Sequence, residues 1–414
     1  MMTEALAVNS EVRLTHKGNL KETRYGWLRL TPAFSVHLVN DLLDREPEAS
    51  GATLDPFGGT GTTALVCAEK GLPSCTADIN PFLVWLTSVK TARYSASDIE
   101  DLRQAAVEVD GAIENETGQV EWLPSLHQIE KWWDPATLHA LGRAMAYLKT
   151  AEASPKVSNL LRLAFCRTLI ARASVSFGHQ SMSFKKKKEG EKALSASELV
   201  DLTSDAWNVA VEMIGSSARS VISQRPQVEL CDARQLAKDF GNGQIGRVIT
   251  SPPYPNRMSY IRELRPYMYW LGYLSDGRAA GELDWQAIGG TWGCATSNVG
   301  KWTPGETRHI PYLGFGEILE RIGERSDLLS RYVHKYFFDM IEHVGAMRQT
   351  VAPGGALHYI VGNSKFYDVL LPVEQIYAGM FEEAGFTDVK VETIRKRSSK
   401  RELFEFVVSA RQPT

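Results

Sequence analysis

Two turns in this chain carry the residue types of a reaction centre. Thr250-Ser251-Pro252-Pro253-Tyr254 follows an apolar run, and two prolines cannot continue a strand. The chain must stop there in a stiff, extended turn that aims carbonyl oxygens outward beside a hydroxyl and an aromatic face. Such a turn suits an exocyclic amine: Ser251 Oγ and the Pro252 carbonyl can accept its two N–H groups while Tyr254 stacks on the ring, with Pro253 holding the turn rigid. The plainer alternative is a strand-ending turn with a packing tyrosine.

The second turn is Asp55-Pro56-Phe57-Gly58-Gly59-Thr60-Gly61-Thr62-Thr63, in which Gly59, Gly61 and Ala64 fit G-x-G-x-x-G/A and Asp78 follows. Glycines let a backbone approach a ligand closely, the helix start offers free N–H groups, and Asp78 can take two ribose hydroxyls. By itself the pattern fits NAD, FAD or S-adenosylmethionine. No Lys-Ser/Thr pair follows the glycines, which excludes a P-loop. Asp55 adds a carboxylate at the strand end, which would repel a pyrophosphate but suits a cationic amino-acid moiety. S-adenosylmethionine carries an ammonium, a sulfonium and no phosphate, so the charges favour it.

The elements around these turns alternate. Ala52–Leu54 predicts a strand, Thr62–Lys70 a helix stopped by Gly71, and Cys75–Ala77 a second strand ending at Asp78, the opening of a doubly wound α/β fold. Upstream, residues 1–22 are polar and a helix is expected to enter at Thr31-Pro32. From 96 to 225 the pattern predicts helices instead, over 97–114, 135–150, 157–177 and 195–220. After Pro226 the alternation returns, with a strand reaching Asp232, another reaching the proline turn, and a helix near 261–274. An irregular Trp- and Gly-rich stretch (285–305), a helix over 325–350, a strand from Ala356, a helix over 371–384 and two closing strands complete it. The turn between those strands holds Arg395, Lys396, Arg397, Lys400 and Arg401. Residues 1–95 and 226–414 are thus expected to build one catalytic domain, interrupted by a helical insertion at 96–225.

Composition narrows the classes. The 414 residues are 43% hydrophobic and 23% charged with a net charge of −3, which is ordinary globular composition and not a polycation. Contact with nucleic acid would need local basic surface. Residues 151–200 carry nine Lys/Arg against four Asp/Glu, including the run Lys185, Lys186, Lys187 and Lys188. The five cysteines lack CxxC pairs and zinc-spaced histidines, so no metal site or disulfide framework is expected. No secretory signal or bilayer-spanning stretch is legible, and a soluble cytoplasmic protein is expected.

Taken together, DPFGGTGTT resembles the cofactor motif, and TSPPY the catalytic motif, of amino-group DNA methyltransferases. The resemblance covers roughly residues 23–95 and 226–410. It implies a mostly parallel seven-stranded α/β sheet with an antiparallel C-terminal hairpin, and S-adenosyl-L-methionine as cofactor. Asp55, Phe57, Gly59, Gly61 and Thr62 would belong to the cofactor site. Asp78 would hold the ribose, Asp232 the adenine amino group, and Thr31 and Phe34 the methionine end. Ser251, Pro252, Pro253 and Tyr254 would be catalytic, and a Ser-led turn resembles the cytosine-N4 enzymes more than the adenine-N6 ones. The insert would recognise double-stranded DNA, although it precedes the Asp232 strand, which departs from the family pattern. A restriction-modification or defence role, with a cognate endonuclease, follows from the same likeness.

A Pro-Cys nucleophile for carbon-5 methylation is absent from the sequence, so direct transfer to a flipped-out base is expected, with Tyr254 as the stacking platform and Trp292 or Trp302 behind it. Lys185–Lys188, Arg395, Lys396 and Arg397 would meet phosphates. Rival readings are an adenine-N6 enzyme, an RNA methyltransferase, an NAD-dependent oxidoreductase, and a non-catalytic DNA-binding subunit.

Overall fold

Four short runs ending at or just before an acid or a proline, and three longer ones, supply a seven-stranded sheet. The computed structural model describes residues 23–28, 34–46, 50–115, 117, 122–176, 183–185, 193–305, 309–397 and 402–414. The sheet strands are β1 (Ala52–Asp55), β2 (Ser74–Asp78), β3 (Gln227–Leu230), β4 (Ile245–Thr250), β5 (Val351–Gly362), β6 (Thr387–Lys396) and β7 (Phe404–Arg411). They lie in the order β3-β2-β1-β4-β5-β7-β6. All run parallel except β7, which opposes both neighbours. The antiparallel closing pair and the doubly wound sheet agree with the sequence.

β1 and β4 are hydrogen-bonded neighbours, with Leu54 opposite Val248. From β1 the chain winds outward through β2 to β3, then returns to β4 on the other side. That reversal opens a crevice at the carboxyl ends of β1 and β4, where open α/β sheets bind their ligands. Every residue of β4 is buried, as a central parallel strand requires.

The helices Val36–Arg45 and Thr62–Lys70 cover one face, burying Leu38, Leu42 and Val66 against Ile249 and Ile360. On the other face, Asp327–Thr350 and Val373–Glu383 bury Phe337, Met340 and Tyr377 against Leu357 and Val408.

Between β2 and β3 the long helices are Ala96–Glu114, Pro135–Thr150, Pro155–Arg172 and Ala196–Ser217. Their apolar faces share one core with Phe82 and Leu86 of the helix Pro81–Lys90 and with Met268 and Trp270 of the helix Tyr260–Trp270. Trp270 is fully buried against Trp122, Trp133 and Phe165. The helical block therefore docks on the two helices that follow Asp78 and the proline turn.

Several boundaries differ from the sequence pattern. The third helix stops at Arg172, because Ala173 is already extended and Val175–Ser176 pairs with Ser183–Phe184. The stretch expected to be irregular (285–305) holds the helix Cys294–Lys301, and the helix Gly277–Gln286 runs into its start; the Asp276 carboxylate caps that earlier helix by accepting from the N–H groups of Arg278 and Ala279. The helix expected to enter at Thr31-Pro32 begins at Val36, capped by Ser35. Thr31 itself lies outside the described residues. Among the described residues, no helix is long and apolar enough to cross a membrane.

Arg24 staples the helical block to the sheet domain. Its guanidinium is buried and donates to the carbonyls of Lys90, Ala92, Ala218 and Ser220, which flank the block's entry and exit. Arg24→Ala would leave the buried Lys90 and Ala218 carbonyls without this donor. We expect a loss on the order of 3 kcal/mol in urea unfolding, with protease nicking appearing first near residues 92 and 220.

Candidate active site

The glycine turn is pressed into place by its neighbours. The Gly58 N–H donates to the Ala77 carbonyl at 2.8 Å. A Cβ on Gly58 would stand 2.2 Å from Thr76 Oγ1, and one on Gly61 (φ +76) 2.7 Å from Thr87 Oγ1. Gly59 (φ +51) differs, because its missing Cβ would meet nothing nearer than the Phe57 carbonyl at 3.7 Å. The turn thus packs backward through two glycines and leaves the third free to approach a ligand. Lys90 holds the turn from behind, its Nζ donating to the Thr60 carbonyl at 3.0 Å. Burial lowers that ammonium to about 7.

Asp78 closes the other side. Its Oδ2 accepts the Gly59 N–H at 2.9 Å and its Oδ1 the Asn80 N–H at 2.8 Å. Burial, only partly offset by these bonds, pushes its carboxyl up to about 6.

Asp55 is placed differently from the sequence expectation. The Thr250 hydroxyl donates to its Oδ1 at 2.7 Å, and the Phe57 N–H donates to the same atom at 3.1 Å. These bonds draw the carboxylate beneath the turns, and it is not among the residues lining the cavity. Its Oδ2 is buried without a hydrogen-bond partner, and burial pushes this carboxyl up to about 6 as well. Thr250 directly precedes Ser251, so this one hydrogen bond ties the glycine turn to the proline turn.

The cavity between them has a volume of about 360 Å³. Phe34, Phe57, Gly59, Asp78, Asp232 and the run Ser251–Tyr254 all line it. Gly61 and Thr62 stand behind the wall. Asp232 accepts from the Arg234 guanidinium at both oxygens, at 2.6–3.1 Å. Against partial desolvation, which would raise it, Arg234 holds this carboxyl below its usual value. A ligand amine at Asp232 would therefore share its acceptor with a guanidinium.

The proline turn is tied to Asp55 through Thr250, to Tyr260 through the Tyr254 N–H at 3.5 Å, and to a tyrosine pair through Pro253. The Pro253 carbonyl accepts from Tyr336 Oη at 2.7 Å, and Tyr336 in turn meets Tyr377 Oη at 2.7 Å. The Pro252 carbonyl, by contrast, takes part in no hydrogen bond among the described residues. It is an acceptor left over in a cavity wall. Tyr254 is 9% exposed; burial, with the Glu405 charge adding to it, pushes its phenol well above the ordinary range.

Several supports carried no sequence signal. His343 donates through Nδ1 to the Ala233 carbonyl at 2.8 Å, which leaves Nε2 to accept from Tyr359 at 2.7 Å. Its ring also meets Phe57 edge-on at 4.8 Å, and burial lowers its pKa to about 4, so it is neutral at pH 7. Asp284 accepts from the Trp292 N–H at 2.6 Å and the Ser259 hydroxyl at 2.5 Å, fixing the loop that faces the proline turn. The helix Pro81–Lys90, which carries Lys90, does have a legible start, since Asn80 caps it and Pro81 opens it.

The basic residues divide. Lys185 and Lys396 are exposed, whereas Lys186, Lys187 and Lys188 lie outside the described residues. Arg395 and Arg397 turn into the cavity wall instead of outward to a phosphate backbone, as two-residue spacing on one strand dictates. Arg265 stacks between Trp132 and Trp292, at 5.0 and 5.6 Å from the ring centres. Trp302 packs on His334 and Phe338 at 5.3 and 5.6 Å. Both tryptophans act as anchors here. Arg257, between the cavity-lining Asn256 and Met258, is exposed in a left-handed conformation (φ 63). No group of His, Cys, Asp and Glu among the described residues is arranged to hold a metal ion.

No protein-family model matches the sequence, and no solved structure matches it. Curated relatives do. The chain is 22% identical over 409 residues to the Type II methyltransferase M.AvaI of a Nostoc species, covering 91% of this chain and 82% of the relative. It is 22% identical over 438 residues to M.BsoBI of Geobacillus stearothermophilus, at 93% and 82% coverage. A shorter match, 34% identical over 76 residues, reaches M.MjaII of Methanocaldococcus jannaschii and covers 18% of this chain and 14% of that relative. Over nine-tenths of its length, helical block included, this α/β chain is thus similar to Type II methyltransferases.

Proposed function

We propose that this protein is a site-specific DNA methyltransferase that moves a methyl group from S-adenosyl-L-methionine to the exocyclic N4 amine of cytosine. One observation carries the proposal: the Asp55–Thr250 hydrogen bond joins a cofactor-type glycine turn to a proline turn whose Pro252 carbonyl is an unused acceptor. The similarity to Type II methyltransferases over most of the chain supports the same chemistry.

The residues present fit the cofactor. Asp78 offers a doubly anchored carboxylate for a diol, Gly59 leaves room for close approach, and the orphan Asp55 Oδ2 places negative potential under a cationic group. When bound, the cofactor supplies an electrophilic methyl. Ser251 Oγ and the Pro252 carbonyl would accept the two amine hydrogens, drawing the nitrogen toward tetrahedral geometry. Tyr254 would bear the ring, and positioning would supply most of the rate. A base inside a duplex cannot reach this cavity, so the target would be flipped out. The helical block and the exposed Lys185 and Lys396 would contact the DNA. Modification within a restriction or defence system, alongside a cognate endonuclease in the cytoplasm, completes the proposal.

Labelled S-adenosylmethionine, incubated with unmodified genomic DNA or bulk tRNA and followed by digestion to nucleosides, tests it. Label should appear in N4-methylcytosine. Label in N6-methyladenine would overturn the base assignment, and label confined to RNA would overturn the substrate.

Acid should weaken the cofactor. Asp55 and Asp78 both titrate at about 6, against an ordinary 3.8, and the bound cation and diol need them ionised. Affinity should drop by up to about tenfold per linked carboxylate for each pH unit below 6. The sign for the empty fold is opposite. Raised carboxyls contribute stability that is complete below the unfolded value and is lost as pH rises through 6. The thermal shift produced by cofactor should therefore shrink from pH 7.5 to pH 5, which differential scanning fluorimetry measures.

A further inference from the structure

The hairpin that closes the sheet sends Arg395, Arg397 and Glu405 into the cavity wall. Arg395 and Glu405 satisfy each other, with Nε donating to Oε2 at 2.6 Å. Arg397 has no carboxylate partner among the described residues. Its Cζ lies 5.4 Å from the Tyr254 ring centre, and its Nη1 donates to the Asn363 carbonyl at 3.2 Å.

The seat is built. The Arg397 N–H donates to the Leu403 carbonyl at 2.7 Å. Asn363 clamps the returning strand, with Oδ1 accepting from the Phe404 N–H and Nδ2 donating to the Glu402 carbonyl, both at 2.9 Å. A Cβ on Gly362 would stand 2.8 Å from Tyr254 Cε2 and 2.9 Å from Arg397 Nη1, so only glycine there lets the ring and the guanidinium share this corner.

A guanidinium presents several donors in one rigid plane, and one shared bond to Asn363 leaves most of them available. Consider an aminated ring whose amine faces Ser251 and Pro252. In cytosine the two positions beyond the amine are N3 and O2, both acceptors and spaced for a fork. In adenine they are N1, an acceptor, and C2–H, which would leave a donor facing carbon. From this geometry we infer that Arg397 reads the target base, its guanidinium taking N3 and O2 of a cytosine while N4 faces the proline turn. The inference rests on the cytosine-N4 proposal above and names the side chain that would decide it.

The test begins by mapping the methylated position that the wild-type protein leaves in unmodified genomic DNA. Duplexes then carry cytosine or 3-deazacytosine at that position, and kcat/KM is measured for wild type, Arg397→Leu and Arg397→Lys. Cofactor affinity serves as the check on folding. Removing N3 should slow the wild type roughly 10- to 100-fold. In Arg397→Leu that penalty should shrink by about tenfold, with Arg397→Lys, which keeps the charge and loses the fork, in between. An undiminished penalty in variants that bind cofactor normally would overturn the role of Arg397 and leave the N4 proposal standing. If Arg397→Leu does not bind cofactor, the Lys variant decides by the same criterion. N6-methyladenine from the wild type would instead bring down the proposal beneath it, and this inference with it.

Discussion

With Ser251 replaced by alanine, methyl transfer should fall by two to three orders of magnitude while cofactor affinity stays within about twofold. The magnitude is that of removing one preorganised hydrogen-bonding group aimed at a reacting atom. Ser251 lines the cavity at the tip of β4, beside the Pro252 carbonyl, which has no other partner among the described residues. Without the hydroxyl, one amine hydrogen has no acceptor and the nitrogen lone pair stays delocalised into the ring. The proposed cofactor site lies on the β1 side, at Gly59 and Asp78, and should be unaffected. Single-turnover rates and calorimetric titration with S-adenosylmethionine separate the two quantities. Equal losses in both would mean that Ser251 supports the fold and takes no part in the chemistry.

The second large effect belongs to Asp78→Asn, for which we expect cofactor affinity to drop by at least about a hundredfold. Both carboxylate oxygens already accept backbone N–H groups, from Gly59 and Asn80. An asparagine would have to point its NH₂ at one of those donors, loosening the glycine turn as well as losing charge. Each charge-assisted bond to a ribose hydroxyl contributes about 1.5–3 kcal/mol, so losing even one while opening the turn reaches that factor. Transfer at saturating cofactor should fall far less, since the proposal places Asp78 on the ribose and the base at the proline turn. Calorimetry on the variant gives the answer directly. Unchanged affinity would remove the ribose from this corner.

The two turns were legible because their chemistry is local. Glycines at positive φ and a proline pair impose their geometry whatever surrounds them, and an acid at a strand end announces where the strand stops. The opening alternation of strand and helix was legible for the same reason. His343 and Lys90 were not, because each acts on a main-chain carbonyl far away in sequence, at Ala233 and Thr60. No residue pattern marks an acceptor that any residue could supply. Asp55 was read as facing the ligand, yet its place is set by Thr250, nearly two hundred residues later. The short helices after Tyr260–Trp270 were obscured by their glycines.

From the sequence alone, then, came the sheet's wound topology, the cofactor-type turn, the proline turn and the interruption between them. Tertiary structure decided which basic residues face the cavity and which face outward. Arg395 in β6 and Arg397 just past its end turn to one side and Lys396 to the other, but the sense of that alternation depends on how β6 and β7 register against β5. A shift of one residue would exchange them. Only the packed sheet chooses, since its buried face must match the helix Val373–Glu383 that covers it.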